Sequence, residues 1–415
     1  MKQTQLAWLI VALLVPVALL NYLDRQMLAA MKTSMMADIS GIETKANWGI
    51  VLGVFKWVYA GLSPIGGYVA DRVSKRYVIA GSLFVWSAVT WVTGRVDTYD
   101  ELLWARAIMG VSEAFYIPAA LALISEMHLG STRSRAIGMH QMGIYAGIIL
   151  GGFSGYVAEN ESYGWRFAFS VCGCIGVLYA FPLFIALKSV GSVRHPIMRS
   201  SDVSNPTSVE TSITPKAAAK ELLRNRNFVL LVLCFTLPAL AGWVVKDWMP
   251  DILREKFGLG QGKAGMSAVL YVNIASIIGV GIGGWLADHW MKRSIRGRIY
   301  VSSAGMLLFL PALFGVGNAS SLAVAIGFLI LFGLGWGFFD CNNMPILCQI
   351  ARPELRATGY GLMNLVSISC GGYADWMFGK LRDQQVPLNL IFGVFAAVAL
   401  LSARLMWMIR PQPQP

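Results

Sequence analysis

Twelve apolar runs, each near the ~20 residues that a helix needs to cross a hydrocarbon layer, constrain this chain more than any other feature. They lie at 6–31, 47–70, 77–95, 100–127, 136–158, 165–187, 228–250, 264–290, 299–317, 320–348, 357–379 and 387–409. Several carry Gly or Pro inside, which membrane helices tolerate because neighbouring groups satisfy the freed backbone. Composition agrees: 56% of the 415 residues are hydrophobic and 13% are charged, about half the ~25% of a soluble domain. Soluble, disordered, collagen-like and disulfide-scaffold classes are thereby excluded. The first run follows Lys2 but is too long for a signal-peptide core and contains Asn21, Asp24 and Arg25, so it reads as a signal anchor.

Polar segments divide the runs six and six. The longest, 188–227, is basic and rich in Ser, Thr and Pro, and reads as a linker with room for a short amphipathic helix at 215–224. The expected fold is therefore an all-α membrane protein of twelve transmembrane helices in two six-helix bundles, 1–187 and 228–415. Basic residues set the orientation. Lys2, Arg410, Arg352, Arg356 and the clusters at 72–76, 133–135, 188–226 and 292–298 fall on one side, against sparser Lys32, Lys45, Arg95, Arg254, Lys256, Lys263, Lys380 and Arg382 on the other. Both termini and the linker are expected in the cytoplasm. The net charge of +12 then marks cytoplasmic loops and anionic headgroups rather than nucleic acid.

The two halves repeat a motif. Gly66-Gly67-Tyr68-Val69-Ala70-Asp71-Arg72-Val73-Ser74-Lys75-Arg76 follows the second run, and Gly283-Gly284-Trp285-Leu286-Ala287-Asp288-His289-Trp290-Met291-Lys292-Arg293 follows the eighth. Glycines let helices approach, and a carboxylate at a helix end can exchange partners as two halves rock. Repeated six-span halves are a common build for secondary transporters, with the substrate site between them. The string resembles the G-x-x-x-D-R-x-G-R-[KR] motif of the major facilitator superfamily. Its first copy carries Ser74 where glycine is usual, and its second lacks the Asp-Arg dipeptide. The resemblance assigns Gly67, Asp71, Arg72, Lys75, Arg76, Gly284, Asp288, Lys292 and Arg293 to conformational coupling.

Asn21-Tyr22-Leu23-Asp24-Arg25 in the first span, with Arg106-Ala107-Ile108-Met109-Gly110-Val111-Ser112-Glu113-Ala114 in the fourth, resembles the anion:cation symporters of that superfamily and the spinster-type carriers. The run Gly147-Ile148-Ile149-Leu150-Gly151-Gly152 lacks the proline of drug antiporters. The symporter resemblance implies Asp24 and Glu113 as a protonatable pair, Arg25 and Arg106 as anion-binding or gating cations, a proton gradient in place of any cofactor, and a monomer in a bacterial inner membrane.

The residues support this independently. An ionisable group inside hydrocarbon costs ~2.5–3.5 kcal/mol even on lenient scales, so those at depth are functional candidates. Neighbouring helix positions point about 100° apart, so Asp24 and Arg25 each need a partner elsewhere. Arg106 and Glu113 are two turns apart on one face. Glu113 reads either as a proton site or as a salt bridge locking helices. Lys56 is too deep to snorkel outward and wants Glu113, Asp24 or the substrate as its anion. Lys246 and Asp247, flanked by Trp243 and Trp248, read as interfacial, and Arg404 as an anchor. His140, Gln141, Tyr145, Asn273, Asn343 and Asn364 suit a polar cavity or helix-to-helix hydrogen bonds. Asp340 and Asn342 share that reading.

The six cysteines show no metal spacing, and no phosphate loop or nucleophile elbow occurs. A gradient-driven carrier follows, not an enzyme. Its expected cargo is a small organic anion such as a sugar acid; a lysophospholipid is the alternative that a spinster-type carrier implies.

Overall fold

The computed structural model describes residues 3–128, 132–188, 215–352 and 355–411. Fifteen helices appear among them: α1 Gln3–Ala30, α2 Lys32–Asp38, α3 Lys45–Arg72, α4 Lys75–Thr93, α5 Tyr99–Met127, α6 Arg133–Glu159, α7 Gly164–Lys188, α8 Pro215–Arg224, α9 Arg226–Phe257, α10 Gln261–Met291, α11 Gly297–Asn318, α12 Leu322–Asp340, α13 Asn343–Ile350, α14 Arg356–Asp383 and α15 Leu388–Trp407. Ten candidate spans are long and apolar enough to cross a membrane, the one at Leu322–Ile350 running through α12 and α13. The long helices α4 and α14 complete the twelve positions expected from the sequence. The amphipathic helix at 215–224 is α8, while 189–214 of the expected linker lies outside the described residues.

Local chemistry sets the ends. Thr98 caps α5 in a capping box with Glu101, and Asn225 caps α9 by accepting from the backbone of Asn227 and Phe228. Gly258 ends α9 with φ +63°, a conformation that costs a residue without Cβ nothing.

Packing repeats between the halves in the same order. Helices α1 and α6 pack together as α9 and α14 do, α3 and α5 as α10 and α12, and α4 and α7 as α11 and α15. The two bundles then meet along α3–α14 and α6–α10. Glycine permits the tightest of these approaches. A Cβ on Gly66 would stand 3.2 Å from the Phe115 Cα of α5, and one on Gly283 would stand 2.9 Å from the Phe338 Cα of α12. Gly284, expected to make this contact, faces open space, so the first glycine of the repeated pair is the packing position there.

Polar contacts between the bundles gather on the side away from the chain termini. Lys32 reaches Asp251 at 2.6 Å, Lys45 reaches Glu255 at 2.5 Å, and the backbone of Lys45 and Ala46 donates to Asp383 at 2.9 and 2.8 Å. Gln261 donates to Ser34 at 2.6 Å, and Glu159 accepts from the backbone of Gln261 and Gly262. On the terminus side, the ion pairs among the described residues stay within one half or join it to α8: Lys75–Glu126 (2.8 Å), Arg298–Asp288 (3.4 Å) and Arg352–Glu221 (2.6 Å). One face is latched and the other is not.

Candidate functional site

A cavity of about 430 Å³ lies between the bundles, within the range of small-ligand sites. It reaches toward the terminus side as far as Leu121, Asp340 and Tyr360. Its wall is mostly aliphatic and aromatic, from Ile117, Ile144, Ile148, Phe235, Trp243, Val269, Phe332 and Trp336 among others. Into it come His140, Gln141, Tyr145, Asn273, Asp340 and Asn364, six of the eight polar residues expected there; Asn342 and Asn343 do not line it. Their geometry is varied. His140 Nε2 lies 2.9 Å from the Tyr116 hydroxyl, while Asn273 donates to the Val269 carbonyl at 2.7 Å. Asn343 is buried behind the wall instead, its Nδ2 3.5 Å from Oδ1 of Asp340, which does line the cavity.

Among the described residues, two charged side chains face the cavity, Lys246 and Asp340. Lys246 is not at the interface, as its aromatic neighbours suggested. Helix α9 runs through Pro250 to Phe257, placing Lys246 about 16 Å from the helix end. Among the described residues it has no carboxylate within ion-pairing distance. Its Nζ sits 5.0 Å from the Tyr22 ring and 5.3 Å from the Trp243 ring. Sequence reasoning passed over it because the span was expected to end at residue 250.

Behind the wall, the first bundle holds the cluster expected on the first and fourth spans. Arg25 Nε donates to Glu113 Oε2 at 2.6 Å, and its second nitrogen pairs with the same oxygen. Asp24 turns away and accepts from Thr90 on α4 at 3.0 Å. Both carboxylates are buried; Asp24 Oδ1 meets no hydrogen-bond donor, and Asn21 acts on Glu113 beside Arg25. Arg106 makes no ion pair among the described residues; it stacks over Phe55 at 4.5 Å and lies 3.0 Å from the Met109 sulfur. Tyr22 and Tyr59 separate this cluster from the cavity, with Arg25 Cζ 4.7 and 5.2 Å from their rings. Tyr22 therefore touches Arg25 on one side and Lys246 on the other.

Lys56 does not reach Asp24 or Glu113, and it does not line the cavity. It pairs with Asp247 of α9 and Asp375 of α14, and stands 4.2 Å from the Trp243 ring. Asp375 had no place in the sequence reading. Its signal was available, since a lone aspartate inside an apolar run is a functional candidate by default.

The repeated motif sits at the terminus ends of α3 and α10. Arg72 stacks over Tyr68 at 3.5 Å, Arg76 over Phe184 at 4.4 Å, Lys75 pairs with Glu126, and Asp288 pairs with Arg298. Lys292 and Arg293 follow at the α10 end without an ion pair among the described residues. The surroundings of Gly67 and the side chain of Asp71 lie outside what is described. Arg404 is exposed near the end of α15, consistent with an anchor.

Comparison with known proteins agrees with this architecture. The chain is 30% identical to rat Protein spinster homolog 1 over 400 residues, covering 91% of this chain and 73% of that one. It also matches Drosophila melanogaster Protein spinster, at 26% identity over 88% of this chain and 60% of the fly protein, so it spans less than two thirds of that relative. The hexuronate transporter of Escherichia coli K12 is 23% identical over 97% and 94%. A crystal structure of a bacterial homolog of the human lysosomal transporter Spinster superposes with TM-score 0.81 at 20% identity, covering 99% of each chain. The Major Facilitator Superfamily model matches residues 14–374. The chain belongs to the Major Facilitator Superfamily and is a membrane transporter, not an enzyme.

Proposed function

We propose that this carrier moves an organic anion with an apolar body by alternating access, driven by protons bound at Asp24 and Glu113. The observation that carries the cargo class is Lys246, a cavity-lining cation without a carboxylate partner among the described residues, set in a largely apolar wall. A cation desolvated without a partner is costly, and an anionic ligand offsets that cost. The apolar wall receives the rest of the molecule. A lysophospholipid-like amphiphile meets both demands, which raises the spinster-type reading above the sugar acid. A second reading retains support from Gln141, Asn273 and Asn364, which suit hydroxyl groups, and from the similarity to the E. coli hexuronate transporter.

Coupling follows from Tyr22, which spans Arg25 and Lys246. An anion at Lys246 displaces that ring and alters the environment of the Arg25–Glu113 pair. The Asp24 and Glu113 oxygens that Thr90 and Arg25 do not hold offer places for a proton. With basic segments on the cytoplasmic side, the latched face is external and the cavity opens inward, in a bacterial inner membrane and as a monomer.

Competition thermal-shift measurements on purified protein test the cargo class. Lysophospholipids are expected to raise the melting temperature and to compete with one another, while glucuronate and galacturonate leave it unchanged. Stabilisation by the sugar acids alone would reverse the order of the two readings.

A further inference from the structure

The Lys56 cluster bridges both bundles and belongs to no part of the coupling scheme above. Lys56 comes from α3, Asp247 from α9 and Asp375 from α14, and both ion pairs cross from one bundle to the other. Lys56 and Asp247 are buried at 4% and 8% exposure, and Asp375 is wholly buried. One cation thus faces two carboxylates. A surplus negative charge in a dry site is expensive unless something neutralises it.

The neighbouring charges do not discharge that surplus by contact. Lys246, next to Asp247 on α9, faces the cavity, and Arg106 of α5 acts on Asp247 only through space. Arg25 of α1 is committed to Glu113, and Asp24 to Thr90. Nearer the external face, Asp251 is taken by Lys32. A second observation points to the missing charge. Lys56 is held by the other Asp375 oxygen, while Oδ1 is buried with no well-formed hydrogen bond and the indole N–H of Trp248 acts on the same carboxylate. The buried oxygen that Lys56 does not hold is where a proton would sit.

We infer that Asp375 is a second proton-binding site, distinct from Asp24 and Glu113, and that its proton holds the two bundles closed on the face away from the termini. With Asp375 neutral, Lys56 and Asp247 form a balanced pair across the interface. Loss of that proton leaves two carboxylates on one buried cation, and opening the face to water relieves the surplus. The inference does not depend on which cargo fills the cavity.

Spin labels at Glu43→Cys and Gln384→Cys, both exposed on the latched face, report its opening in a background free of native cysteine. Adding Asp24→Asn and Glu113→Gln silences the first site. In that protein the interlabel distance is expected to lengthen from mildly acidic to mildly alkaline pH, and Asp375→Asn should hold it short throughout. An unchanged distance with Asp375 intact, the same pH response in D375N, or a response to sodium in place of protons would each overturn the assignment. An infrared measurement needs no folded D375N. The silenced protein should show a protonated-carboxyl carbonyl band that Asp375→Glu shifts; absence of the band, or its indifference to that change, would contradict the site.

Discussion

Glu113→Gln is expected to abolish proton-driven uptake in reconstituted vesicles while leaving counterflow exchange measurable. The amide keeps an oxygen for Arg25 to donate to, but it cannot take up or release a proton. Accumulation against a gradient requires that exchange, whereas counterflow requires only that the loaded carrier change sides. The pair's environment makes the effect large. Glu113 is fully buried and holds Arg25, which has no other carboxylate at ion-pairing distance among the described residues. Neutralising it weakens a charge-assisted bond of ~1.5–3 kcal/mol, so counterflow is to be read beside the melting temperature. Gradient-driven uptake that persists in a folded E113Q protein would remove Glu113 from the coupling role.

Lys56→Gln is the other large effect, and it falls on stability. Removing one partner of a buried ion pair typically costs ~3–5 kcal/mol because it strands the opposite charge. Here Asp247 loses its cation across the interface, beside an Asp375 that is neutral only while it keeps its proton. The unliganded melting temperature should drop markedly, and a K56Q/D247N double variant should recover part of the loss by removing the stranded carboxylate. Ligand affinity in the same detergent should change little, because Lys56 does not line the cavity. A tenfold or greater loss of affinity at an unaltered melting temperature would instead make Lys56 a ligand contact.

The fold was open to a reader of the sequence because a bilayer imposes one length on every span. The twelve apolar runs correspond to the twelve long helices, and the G-G-x-x-A-D repeat marks the same position in each bundle. The cluster of Asp24, Arg25, Arg106 and Glu113 was also legible, since charge inside hydrocarbon stands out. Which charge met which was not. Arg106 and Glu113 share a face of α5, yet the partner of Glu113 comes from α1, because only packing decides how helices are rotated about one another.

Lys246 and Asp247 show the other limit. An expected span ending at Pro250 put both at the membrane surface, whereas α9 continues through that proline for seven more residues. A proline inside a membrane helix does not end it when surrounding groups satisfy the freed carbonyl. The error of two turns moved a cavity lysine and one leg of the inter-bundle cluster out of view. Asn343 erred in the opposite sense: it is polar and lies inside the tenth apolar run, but it is buried behind the wall.

Selection of an anion by Lys246 is measured directly by binding. A lysophospholipid titrated into wild type, Lys246→Gln and Lys246→Arg in one detergent separates charge from shape. Loss of a charge-assisted hydrogen bond of ~1.5–3 kcal/mol corresponds to roughly ten- to hundred-fold in affinity. A fall of that size is expected in K246Q, with substantial recovery in K246R and a melting temperature near wild type for both, since no ion pair is broken. Equal affinity in K246Q and wild type would contradict that selection.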